Sequence, residues 1–146
     1  MKFTAIVEIP RGSDRRIHMA YDNSGFIDLG PISEHISINK GVMPVCYGYI
    51  DSYINKSEGD NVDCIIFSKN DDKTGDAVEV EVIGIMMRED TDHKVICIDN
   101  TSIIENFEAL EESESALIVQ YFGFKSKIVS VGSREKAVEY LNSCIL

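Results

Sequence analysis

Three carboxylates stand within six residues in Glu58-Gly59-Asp60-Asn61-Val62-Asp63, and a glycine at the second place permits a sharp turn into the apolar run Val62 to Phe67. Asp60 and Asp63 then lie at the mouth of a strand, where several oxygens can converge on one point. Hard divalent cations such as Mg²⁺ are held by such carboxylates together with waters and substrate phosphate oxygens. Taken alone, the hexad reads first as a solvated acidic turn. A second cluster changes that reading. Glu89-Asp90-Thr91-Asp92 closes the apolar run Val82 to Met87, Lys94 follows closely, and Glu8 ends a third apolar stretch. If these strand ends face one another, so many like charges repel strongly unless metals neutralise them. A multi-metal site is the economical chemistry for this set.

The elements that must position these residues are mostly strands. Lys2 to Ile9 alternates and is rich in β-branched residues, and Pro10, Gly12 and Ser13 end it. Gly25, Gly30 and Pro31 flank the short apolar stretch Phe26 to Leu29. Val45 to Ile50 and Val62 to Phe67 read as further strands, the second apolar enough to be buried on both faces. Lys69 to Asp76 is a polar turn. Val78 to Met87 alternates, with Val78, Val80 and Val82 on one face and Glu79 and Glu81 on the other, and Lys94 to Ile98 is another short strand. The pattern then becomes helical. Asn100 or Thr101 is positioned to cap a helix through Leu110, and Ser113 to Phe122 has apolar residues at helical spacing. Lys127 to Val131 reads as a last strand. Ser133 caps a final helix whose apolar face is Ala137, Val138, Leu141 and Ile145. The order predicts a single α+β domain over residues 1–146, a small β-barrel with C-terminal helices packed outside.

The chain has 146 residues, 14 Lys+Arg against 25 Asp+Glu, and a formal net charge of −11. That balance argues against nucleic acid or an anionic membrane surface, since polyanions would be repelled. An oligonucleotide-binding barrel would pair a basic groove with stacking aromatics, whereas this chain has no Trp and 8% aromatic residues. No apolar run approaches the ~20 residues that span a bilayer, and MKFTAIVEIP does not read as a signal peptide. The expected location is the cytoplasm.

Cys46, Cys64, Cys97 and Cys144 contain no C-x-x-C pair, which excludes zinc-ribbon and thioredoxin readings and leaves reduced, mostly buried thiols. Asn70-x-Asp72-x-Thr74-Gly75 with Glu81 at the twelfth place nearly matches a calcium loop, but strand patterns flank it where helices are required. His18, His35 and His93 share no metal-ligand spacing, and His93 reads as a solvated imidazole. Gly132-Ser133 reads as a helix cap in preference to an anion site.

Val7-Glu8-Ile9-Pro10-Arg11-Gly12-Ser13, Met43-Pro44-Val45-Cys46-Tyr47-Gly48-Tyr49-Ile50 and the acidic hexad occur in the order and approximate spacing of a known family. The chain resembles the soluble inorganic pyrophosphatases of the family I type. Val82 to Met87, with Asp90, Asp92 and Lys94 after it, is similar to that family's next block, so the resemblance spans roughly residues 3 to 131. It implies a closed OB-like barrel whose mouth binds several Mg²⁺ ions and hydrolyses pyrophosphate to two phosphates. It also implies a homo-oligomer. Matched position by position, Asp63 would bridge two metals, with Glu58 and Asp92 completing a coordination shell. Asp90 would share a third ion with Asp92, and Glu8 would reach a fourth through water. Asp60 would help activate the attacking water, and Arg16, Tyr47, Lys94 and Lys125 would hold phosphate oxygens. The logic is sound chemically, because divalent ions acidify coordinated water and neutralise the leaving phosphate.

The departures from that family form a pattern. Glu58 stands where the family has Asp, and Asn61 where it has Pro. Arg16-Ile17-His18 replaces a Lys-Tyr-Glu run, losing a carboxylate and exchanging a point charge for a planar cation. Glu34-His35 replaces an Asp-Arg pair, Met43 a Tyr, Cys46 an Asn and Phe124 a Tyr, and the loop at Glu89 and Asp90 is about three residues shorter. That shortening leaves either Glu89 or Asp90 as the ligand. Metal carboxylates are largely kept while phosphate-binding cations and phenols are thinned. Each lost hydrogen bond to a charged phosphate oxygen is worth about 1.5–3 kcal/mol, so a slow enzyme or an altered substrate preference is expected. The alternative is a non-catalytic relative that binds metal and a phosphorylated ligand.

Overall fold

Alternation along the first strand sends Phe3, Ala5 and Val7 into the interior, and the strand β1 (Lys2–Ile9) has the predicted bounds. The computed structural model describes residues 2–145. The strands that follow are β2 (Arg15–Met19), β3 (Phe26–Pro31), β4 (Cys46–Asn55), β5 (Asp60–Phe67), β6 (Ala77–Arg88), β7 (Lys94–Ile98) and β8 (Ile128–Gly132). The helices are α1 (Glu112–Phe122) and α2 (Arg134–Asn142). The large sheet runs β1-β4-β5-β7-β6-β8, and β1 also pairs with β6, so five strands close into a barrel with β8 attached outside the ring. Neighbours are antiparallel except β5 and β7, which run parallel. Closure leaves no free edge on the ring, the physical advantage of a barrel over an open sheet. β2 and β3 form a separate hairpin. No helix among the described residues is long and apolar enough to cross a membrane.

The two faces of the strands build two cores. Phe3, Val7, Ile50, Cys64, Val80, Val82 and Cys97 form one, together with Ala137 and Leu141 of α2. Ile65, Ile83, Met86 and Ile96 form the other with Ile118, Tyr121 and Phe122 of α1. β5 and β7 contribute to both, which explains their almost unbroken apolar sequences. All four cysteines are free and buried. Ser133 caps α2 as expected, its Oγ accepting from the Lys136 amide at 3.3 Å. The apolar face of α2 is shorter than predicted. The helix ends at Asn142, and Ile145 lies beyond it, largely exposed and bridged to Tyr53.

One expectation is corrected here, and one strand is added to those read from the sequence. Residues 100–110 do not form an α-helix. Asp99 Oδ1 accepts from both the amide and the hydroxyl of Thr101, at 2.9 and 2.6 Å, which fixes a turn where a helix would begin. Only a single 3₁₀ turn, Phe107–Ala109, follows, capped by Asn106. Local side-chain bonds of Asp and Thr compete with helix formation in this way, and Ile103 is left 81% exposed. The added strand is β2: Arg15–Met19 is a strand, though its mixed polar sequence carries no strand period.

Gly48 is the tightest approach between β1 and β4. A Cβ there would lie 2.0 Å from the carbonyl oxygen of Ile6. Gly48→Ala is therefore expected to force the strands apart and cost about 3 kcal/mol. Urea unfolding followed by circular dichroism should show the midpoint falling, and an unchanged midpoint would refute the packing account.

Candidate active site

Side-chain alternation puts Asp63 on the same face of β5 as Ile65, and Lys94 on the same face of β7 as Ile96. Lys94 is almost wholly buried. Its Nζ donates to Asp63 Oδ2 at 2.6 Å and to Asp92 Oδ2 at 3.1 Å, so one ammonium bridges a carboxylate within β5 and one in the β6–β7 turn. Nζ also lies 5.5 Å from the centroid of the Tyr47 ring, which stacks on Phe122 of α1. Burial works against the charged lysine, but Asp63 and Asp92 outweigh it and hold its pKa above the usual value. Burial, reinforced by Asp63, Asp92 and Glu8, raises the Tyr47 phenol well above its ordinary value, so it is a neutral hydroxyl.

The two acidic turns are physically joined. Asn55, at the end of β4, donates to the Thr91 carbonyl at 3.1 Å, and the Ser57 and Thr91 hydroxyls are 2.9 Å apart. Gly59 takes φ 70°, the left-handed conformation that the turn before Asp60 requires. In the other turn the Asp92 amide donates to Asp90 Oδ1 and the Asp90 amide to Ser126 Oγ, each at 3.0 Å. Asn61 Nδ2 donates to Asn23 Oδ1 at 3.0 Å, tying the start of β5 to the tip of the β2–β3 hairpin.

Glu8 and Asp60 form a second group. Glu8 is 2% exposed; its Oε2 accepts from the Met19 amide at 2.7 Å, while Oε1 is buried without a partner. His18 stands between the two acids, with Nε2 3.3 Å from Asp60 Oδ2 and Nδ1 4.0 Å from Glu8 Oε2. A cavity of about 300 Å³ opens onto these elements. Arg16, Tyr47, Asp63, Asp90, Asp92, Lys94 and Lys125 all line it. His35 and Met43, two of the departures, line it too, and Arg16 Nη1 is 3.5 Å from His35 Nε2. Glu8, Glu58 and Asp60 are the exceptions: none is among the lining residues, though His18, which contacts both Glu8 and Asp60, is, and Glu58 is exposed in its turn.

Arg88 and His18 are lining residues that lie outside the set picked from the sequence. Arg88 ends β6 and reaches Asp90 Oδ2 at 3.0 Å. A cation at the apolar end of a strand, just before two carboxylates, was its only signal. His18 was visible merely as the absence of a carboxylate.

Among the described residues no three His, Cys, Asp or Glu side chains converge closely enough to form a metal cage. The donors nevertheless suit a hard divalent cation. They are all carboxylate oxygens, Glu8 Oε1 is an orphaned buried acceptor, and Mg²⁺ needs only one or two carboxylates beside water and phosphate.

Burial, and then the charge of Asp63, push the Glu8 carboxyl up to about 7, although the Met19 amide opposes them. A folded-state pKa raised from 4.5 favours the protonated acid. Its contribution is therefore complete below pH ~4.5 and lost as the pH rises through ~7. Glu8→Gln keeps an acceptor for the Met19 amide and carries no charge. In metal-free protein it should raise stability at pH 8, by about 3 kcal/mol at most, and leave it unchanged near pH 4.5. Thermal denaturation at the two pH values checks this, and equal shifts at both would contradict it.

The inorganic pyrophosphatase family model matches residues 5–144 of the chain. No curated protein sequence matches it. Among solved structures, the chain is similar to the inorganic pyrophosphatase of Ehrlichia chaffeensis at 17% identity and TM-score 0.86, covering 99% of this chain and 93% of that one. It is similar to the inorganic pyrophosphatase of Thermus thermophilus at 24% identity and TM-score 0.79, covering 99% and 89%. An N-terminally truncated vacuolar soluble pyrophosphatase of Trypanosoma cruzi, solved in complex with PPi, matches at 21% identity and TM-score 0.74, covering 98% and 67%. These likenesses establish the barrel fold. With the family match running from β1 to the end of α2, the chain belongs to the inorganic pyrophosphatase family and is an inorganic diphosphatase.

Proposed function

We propose that the cavity hydrolyses pyrophosphate to two phosphates with Mg²⁺, through the side chains assembled at its mouth. The observation that carries this reading is Lys94 held between Asp63 and Asp92 inside a cavity that Arg16 and Lys125 also line. Carboxylates to hold cations and cations to hold phosphate thus share one space, which a simple acidic surface does not provide.

Asp63, Asp92 and Glu8 are the residues that would hold divalent ions in this reading. Asp90 stays paired with Arg88, and Glu58 would reach the same ions by folding in from its exposed turn. The bound ions supply Lewis-acid charge and an acidified water. Asp60 accepts the proton of the attacking water. Its Oδ1 is occupied by the Asn61 amide at 2.8 Å and its Oδ2 lies near His18, so the carboxylate is held in one orientation. Arg16, Lys94 and Lys125 bind the substrate's phosphate oxygens, and the neutral Tyr47 hydroxyl donates to one of them. With His35, Met43 and Phe124 in place of stronger phosphate donors, turnover is slow. The four buried thiols support a reducing cytoplasmic setting. Ile27 and Leu29, exposed on one face of β3, support a homo-oligomer.

Phosphate release from pyrophosphate should be Mg²⁺-dependent and fall at least about a hundredfold in Asp60→Asn, the scale of a lost general base. Absence of release with Mg²⁺ and Mn²⁺ would defeat the reading and favour the binding-only alternative. Lys125 is exposed and can be altered without disturbing the core. Lys125→Met should lower kcat/KM about tenfold or more, one charged phosphate contact, while leaving metal affinity unchanged. Steady-state kinetics beside a metal titration separates the two effects.

A further inference from the structure

β6 ends inside the site on a guanidinium that the assembled carboxylates already contact. The Arg88 side chain is only 10% exposed. Its Nη2 lies 3.0 Å from Asp90 Oδ2 and its Nη1 4.0 Å from Asp92 Oδ2, while its Nε is buried with no partner. The backbone at this point is secured as well, since the Arg88 amide donates to His93 Nδ1 at 2.9 Å. A buried cation of this kind persists only beside opposite charge. Arginine also remains charged throughout the accessible pH range, so its positive charge is permanent.

On this side of the cavity three carboxylates, Asp63, Asp90 and Asp92, share two fixed cations, Arg88 and Lys94. Lys94 pairs with Asp63 and Asp92; Arg88 pairs with Asp90 and reaches toward Asp92. A divalent ion shared by Asp90 and Asp92 would have to sit within a few ångströms of the guanidinium, where like charges repel strongly at the low effective dielectric of a part-buried site. Among the described residues Glu8 and Asp60 pair with no lysine or arginine; His18 alone stands between them.

We propose that Arg88 is a resident substitute for one divalent ion. It neutralises Asp90 and the adjacent edge of Asp92, so the site binds one metal ion fewer than its carboxylates would otherwise hold. The proposal deepens the hydrolase reading by assigning its cation requirement, but its test counts ions and needs no turnover.

Mn²⁺ binding to the full-length protein, counted from the free-ion electron paramagnetic resonance signal, provides the readout. Arg88→Met should bind one more Mn²⁺ per chain than wild type, or bind its weakest ion at least tenfold more tightly. Arg88→Lys, which keeps the charge, should keep the wild-type count. Asp90 is on the surface, and Asp90→Asn tests the same point without disturbing the core: in an otherwise wild-type chain it should leave the count unchanged, because Asp90 holds no ion there. Equal counts and affinities in wild type and a folded Arg88→Met would overturn the proposal, and so would loss of an ion in Asp90→Asn. A rise in KM for pyrophosphate in Arg88→Met with no change in Mn²⁺ binding would also overturn it, making Arg88 a phosphate contact instead. Should phosphate release be absent altogether, the hydrolase reading fails while the ion count still decides the role of Arg88.

Discussion

The ammonium of Lys94, buried between Asp63 and Asp92, is the interaction on which the arrangement of the site depends. Lys94 and Asp63 are largely withdrawn from water and Asp92 partly so, and breaking a buried pair by removing one partner is strongly destabilising. Together they require that the start of β7, the middle of β5 and the β6–β7 turn remain in register. That register is supplied by the parallel β5–β7 pairing and by closure of β1 on β6. The barrel thus acts as a clamp that holds unlike charges at contact distance, and the site inherits its rigidity from backbone pairing instead of from flexible loops.

The balance of charge differs between the cavity and the neighbouring pair Glu8 and Asp60. Around Asp63, Asp90 and Asp92 the carboxylates have built-in partners in Lys94 and Arg88. Around Glu8 and Asp60 they do not, and burial there drives the Glu8 carboxyl up to about 7. A divalent ion arriving near Glu8 relieves an unfavourable burial, whereas one arriving near Asp90 must displace a guanidinium. The same set of acids therefore offers sites of unequal quality. The departures from the family pattern lie mainly among the phosphate-facing residues, with His35 and Met43 lining the cavity. With Arg88 standing in for an ion as proposed, substrate affinity and cation stoichiometry are altered by different residues.

Much of the fold was legible before any coordinates. β1 and β7 have the predicted bounds, and β5, β6, β8 and α1 differ by a residue or two at an end, because a period of two or of 3.6 in apolar side chains reports which face is buried. The pattern was silent or misleading where the local chemistry was polar. β2 carries no alternation and exists through pairing with β3. Residues 100–110 have helical spacing, but the Asp99–Thr101 turn prevents initiation. Both cases concern side chains that bond to nearby backbone or sit at the surface, where burial does not impose a period.

For the site, the sequence by itself determined the chemical inventory: carboxylates in two turns and after β1, with lysine and arginine interspersed, in an order characteristic of one family. It did so because motif order along a chain is a one-dimensional property. Only the tertiary structure decided which of these groups meet. It joined the two acidic turns through Asn55, Ser57 and Thr91, brought Lys94 between two carboxylates, set His18 between Glu8 and Asp60, and kept Glu58 at the surface. It also carried Arg88 from an unremarked strand end into the cavity. The reason is physical: Coulomb energy falls with separation in space and not along the chain, so the partner of a charge is known only once the strands have closed.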